Sequence, residues 1–102
     1  MSGLRNQKSK LRNAIYDIRD KLINGIEDKV LEEKEVKLLH EEMLDLFLKF
    51  QDVCNDLNRE WEVYKEIDKQ ARLQAEYNQV HGVVDETSKL VSEYEDSFEI
   101  RK

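Results

Sequence analysis

The apolar repeat of this chain breaks step between Ala71 and Leu73, and that break limits the folds open to it. Before the break, Val36, Leu39, Met43, Leu46, Phe50, Val53 and Leu57 alternate at steps of three and four. That is the a/d seam of a heptad. The series continues through Glu60 or Trp61 to Tyr64, Ile67 and Ala71. After the break, Leu73, Tyr77, Val80, Val84, Thr87, Val91, Tyr94 and Phe98 alternate again, at four and three. A step of two turns a helix by about 200°, so the two series cannot share one face of a straight helix. A reversal of the chain within residues 66–70 resolves the conflict most simply, with Asp68 as the cap of a new helix, and the rival position, residues 55–58, would cut a seam that otherwise continues.

A further stripe precedes these two. Leu4, Leu11, Ile15, Ile18, Leu22 and Ile26 recur with the spacing of one helix face, and Ser2 can cap its start. Asn24 and Gly25 weaken that helix, so it is expected to end within NGIEDKV, with a turn over residues 28–33. Proline is absent and glycine occurs three times, whereas strand-rich folds need many glycine- and proline-bearing turns. The chain therefore reads as all-α, a single domain over residues 1–102 with helices at about 4–27, 32–66 and 70–98. The expected architecture is an antiparallel three-helix bundle, or a coiled-coil hairpin with long helices. Leu38, Leu44, Phe47 and Leu48 widen the second face beyond its seam, as suits a helix touching two neighbours.

Charge is unevenly placed along this scaffold. Arg5, Lys8, Lys10, Arg12, Arg19 and Lys21 against Asp17 and Asp20 give residues 1–22 a charge of +4, so the rest must carry −10 for the net of −6. The patch Arg5, Lys8, Lys10 and Arg12 offers the first helix to nucleic acid or an anionic membrane surface. Attraction between a basic end and an acidic body explains the same asymmetry without a ligand. Glu32, Glu33, Glu35, Glu41, Glu42 and Asp45 crowd one region, which also fits a small acidic inhibitor that mimics nucleic-acid charge.

Chemistry has few footholds here. There is no glycine-rich phosphate loop and no local nucleophile–base pattern. His81 and Asp85 share a helix face at i, i+4, but two ligands make no metal site, and adjacent His40, Glu41 and Glu42 point about 100° apart. Cys54, the one cysteine, sits beside a seam residue, and Asp52 and Asp56 oppose its ionisation. No enzyme activity, cofactor or metal is expected. No apolar run reaches the length of a transmembrane segment, no secretory leader is visible, and a lone cysteine fits a cytoplasmic or nuclear setting. The expected role is a non-enzymatic helical interaction or oligomerisation module whose partner is a protein, chiefly itself. Phe47, Trp61 and Tyr64 are the large side chains most suited to an interface.

One likeness extends over nearly the whole chain. KLINGIED in the first helix, LLHEEM and DLNREW in the second, and LQAEYNQV opening the third resemble the helical region that precedes the Gag-like part of Pao/BEL-type retroelement polyproteins. The resemblance implies a non-catalytic self-association or assembly region of a particle-forming protein. The capsid domain, zinc knuckle and protease of that group are not among these 102 residues.

Overall fold

The computed structural model describes residues 3–100, with side chains described through residue 97. The chain forms α1 (Gly3–Asp28), α2 (Glu33–Val63) and α3 (Ile67–Ile100). Every pair of helices packs together, so the chain runs up, down and up around one core. The result is an all-α three-helix bundle shaped as a rod of 57 × 19 × 17 Å. Its radius of gyration is 16.3 Å, against roughly 13 Å for a compact domain of this length. Helices of 26, 31 and 34 residues lying side by side account for the elongation.

The three stripes meet as their spacing requires. Ile15, Ile18 and Leu22 of α1, Val36, Met43, Phe50 and Leu57 of α2, and Val80, Val84 and Val91 of α3 are all buried. Thr87 is buried with them, and its hydroxyl donates to the Val83 carbonyl one turn back at 2.7 Å, which satisfies that group. Of the residues that widen the α2 face, only Phe47 is buried. Leu38, Leu44 and Leu48 remain exposed.

Both turns are built alike, and the second departs from the sequence-based placement. At the end of α1, Lys29 adopts a left-handed φ of 56°. Its N–H donates to the Ile26 carbonyl at 3.2 Å, and the Val30 N–H to the Gly25 carbonyl at 3.1 Å. At the end of α2, Lys65 has the same φ of 56°, with Lys65 N–H on Glu62 at 3.1 Å and Glu66 N–H on Trp61 at 2.8 Å. These paired bonds are the Schellman arrangement, in which a left-handed residue satisfies the last helical carbonyls. The first turn, Lys29–Glu32, lies within the expected range, and α1 ends at Asp28, one residue beyond the expected 27, with Gly25 inside its last turns. The second turn covers Tyr64–Glu66, not 66–70, so α2 stops three residues early and α3 starts three residues early.

Asp68 is accordingly not the cap. It lies in the first turn of α3, and the Glu66 carbonyl accepts the first helical bond from Gln70 at 3.0 Å. Tyr64, Ile67 and Ala71, assigned to the second seam by their spacing, are all exposed because that seam ends at Trp61. Ser2 and the side chain of Phe98 lie outside the described residues. A hydroxyl ties the other end of the rod: Tyr94 Oη donates to the Leu31 carbonyl at 2.8 Å, holding the first turn against α3.

Candidate interaction surfaces

The four basic residues picked from the sequence do not form one patch. Arg5, Lys8 and Arg12 follow one another at three and four along the side of α1 that faces α3, while Lys10 lies about 200° around from Lys8. Lys10 instead borders a shallow cleft against α2, beside Lys49, Asp52 and Val53. Glu76 of α3 engages two of the remaining three. Lys8 Nζ lies 2.9 Å from its Oε1, and Arg12 Nη1 donates to its Oε2 at 3.1 Å. The Lys8 contact is Coulombic rather than a well-directed hydrogen bond, since Oε1 accepts none.

Arg5 stands apart from that clamp. Its guanidinium sits 5.6 Å from the centroid of the Trp61 ring, a cation–π contact between the start of α1 and the end of α2. Because α1 and α3 are parallel, this end also gathers Lys69 and Arg72 from the first turns of α3. A cleft of about 350 Å³ runs between the two helices, lined by Arg5, Lys8, Lys69, Arg72 and Trp61, with Glu76 as its one acid. It continues into a second cleft of about 360 Å³ across the tip of the bundle, where Glu60, Tyr64 and Glu66 join the lining. Lys69 has a loose contact with Glu66 at 3.9 Å, and Arg72 forms no ion pair among the described residues. Lys69 and Arg72 escaped the sequence reading because they join the patch only once α1 and α3 are known to run side by side.

The aromatic residues divide differently from expectation. Phe47 is only 9% exposed and is packed inward, its ring centroid 6.4 Å from Phe50, 5.8 Å from Tyr77 and 5.8 Å from His81. Gln51 Nε2 donates to Tyr77 Oη at 2.6 Å and fixes that cluster between α2 and α3. Trp61 is also 9% exposed, beneath Arg5. Phe47 and Trp61 are therefore core residues rather than free surface. Tyr64 is 70% exposed, together with Val63 and Ile67, and forms an apolar tip around the second turn. Along the outward half of α2, Leu38, Leu44 and Leu48 are exposed among Glu41, Glu42 and Asp45.

Polar groups with chemical potential are occupied. His40 Nε2 and Ser88 Oγ share a hydrogen bond at 2.9 Å between α2 and α3. His81 stacks on Tyr77, and its helical neighbour Asp85 lies 3.7 Å from Lys89. Among the described residues no group of three or more His, Cys, Asp or Glu side chains is placed to hold a metal ion. Burial pushes the Cys54 thiol from 9.0 up to about 11, with Lys8 opposing and Glu76 adding to the rise. Glu76, not Asp52 or Asp56, is thus the acid that bears on the thiol. Among the described residues no helix is long and apolar enough to cross a membrane.

Fold and surface together define an all-α three-helix bundle with one basic aromatic end and one acidic, leucine-bearing flank. Comparison with protein-family models, curated proteins and solved structures gives no match.

Proposed function

We propose that this chain is a non-enzymatic α-helical interaction module that binds protein, and in the first instance further copies of itself. One observation carries the reading. The bundle closes its own three seams, yet Leu38, Leu44 and Leu48 stay exposed along one helix, two of them by more than half. Single exposed leucines are ordinary on a protein surface, but three on one flank of a helix fit a covered face. An assembly region of a Gag-like protein is the narrower form of the same reading, and it rests on the sequence resemblance alone. The buried free thiol of Cys54 suits a reducing compartment such as the cytoplasm or nucleus.

Two other roles are less well supported. Binding to nucleic acid or an anionic membrane through α1 needs cations free to pair with phosphate, whereas Lys8 and Arg12 are held by Glu76 and Lys10 faces elsewhere. Charge mimicry would use Glu41, Glu42 and Asp45, but leucines interrupt that row.

Sedimentation from micromolar to roughly millimolar concentration tests the reading. The expected result is an average mass rising above the 12.2 kDa of one chain. Leu38→Glu with Leu48→Glu should abolish the rise while leaving thermal stability nearly unchanged, because both side chains are more than half exposed. A constant mass of one chain throughout the range sinks self-association.

A further inference from the structure

We infer that copies associate head to tail, the basic cleft between α1 and α3 of one copy receiving the acidic leucine flank of α2 of the next. This rests on the self-association reading and specifies its geometry. Each half of the contact is visible on one chain. The donor side offers Arg5, Lys69 and Arg72 around the edge of Trp61. The acceptor side offers Glu41 and Glu42, neither of which forms an ion pair among the described residues, with Leu44 and Leu48 beside them.

The two surfaces are opposite in charge at Arg5, Lys69 and Arg72 against Glu41 and Glu42, and they cannot meet within one molecule. Residues 41–44 and Trp61 are separated by about 18 positions of continuous helix, on the order of 27 Å. The cleft also opens between α1 and α3, whereas the flank lies on the outward half of α2. A second copy is the occupant that this chain itself supplies with complementary charge. Because the two patches differ, pairing them satisfies one of each and leaves the others free. Such a heterologous contact propagates into rings or open filaments instead of stopping at a dimer.

Charge reversal on each side separates the outcomes. Lys69→Glu with Arg72→Glu alters the cleft at positions that make no core contact, and Glu41→Lys with Glu42→Lys alters the flank at exposed positions. Circular dichroism is expected to show both variants as helical as the unmodified protein. Each alone is expected to remain one chain in mass where the unmodified protein associates. Mixed in equal amounts, they should associate again, since the unchanged flank of one meets the unchanged cleft of the other and the two reversed patches are also opposite in charge. Association of the unmodified protein should also weaken by roughly tenfold or more between low and high salt.

If both variants associate like the unmodified protein, the patches are not the contact and only the head-to-tail geometry falls. If both are monomeric but mixing restores nothing, the contact is not heterologous and the inference is again overturned. An unmodified protein that stays at one chain in mass removes the self-association reading itself. A single-stranded oligonucleotide that binds that monomer, and fails to bind the Lys69→Glu, Arg72→Glu variant, would assign the cleft to nucleic acid and overturn the inference.

Discussion

The Leu31 side chain fills the space that a side chain on Gly25 would need: a β-carbon built on Gly25 would overlap Leu31 Cγ and Cδ1. The first turn folds back over the last turns of α1, and only a residue without a side chain allows it to lie that close. Gly25 has ordinary helical backbone, so its value is contact rather than conformational freedom.

Gly25→Ala is therefore expected to destabilise despite the better helix propensity of alanine. The propensity gain of about 1 kcal/mol is set against an overpacking cost of about 1–3 kcal/mol, for a net loss near 1 kcal/mol by chemical denaturation. Truncating Leu31 to alanine removes the obstacle. In the Leu31→Ala background, Gly25→Ala should become stabilising, and a cycle with no coupling between the two would disprove the contact.

Lys29→Gly and Lys65→Gly should each stabilise the fold. A non-glycine residue in the left-handed region costs about 1–2 kcal/mol, while glycine returns about 0.4–1 kcal/mol of that through the freer unfolded chain. A net gain of about 0.5–1 kcal/mol per turn follows, read as a rise of a few degrees in Tm. The turns lie at opposite ends of the rod, so the gains should add. A loss at either position would mean that its φ is not left-handed.

Cys54 makes stability fall in alkali. Its thiol is neutral when protonated and its folded pKa, about 11, lies above the ordinary value of 9.0. Folding therefore holds the proton. The contribution is whole below pH 9 and is lost as pH rises towards 11, by an amount on the order of 2 kcal/mol. Replacing Cys54 with alanine should flatten that alkaline slope relative to the parent chain. Reaction with a thiol reagent at neutral pH should be slow in the folded state and fast after unfolding.

Glu76→Gln tests the clamp between α1 and α3. Lys8 and Arg12 lose a partly buried counter-charge, with an expected cost of about 1–2 kcal/mol that shrinks as salt is added. The same change should lower the Cys54 pKa, because Glu76 is one of the groups raising it. An unchanged thiol titration alongside a lost ion pair would place Glu76 further from Cys54 than described.

The seams were legible because burial follows spacing. Ile15, Ile18, Leu22, Met43, Phe50, Val80 and Val84 occupy the positions that steps of three and four assign to the core. Placement of the second turn was not, since lysine, Lys65, holds its left-handed position where glycine would have advertised it. The first helix end was legible to within one residue, but spacing could not show that Gly25 serves a crossing chain. At the basic end, Arg5, Lys8 and Arg12 were visible as a row, whereas Lys69 and Arg72 belong to it only through the pairing of parallel helices. Trp61 and Phe47 are large enough to anchor an interface, but their positions relative to Leu57 and Phe50 turn them inward.

Three helices in alternating directions have a mechanical consequence. Gly3 and Ile100 emerge at opposite ends of a 57 Å rod, so tension applied through them pulls α1 and α3 lengthwise past each other. That loading must shear the Lys8–Glu76 and Arg12–Glu76 links and the α1–α2 and α2–α3 seams together, where a two-helix hairpin would peel apart one turn at a time.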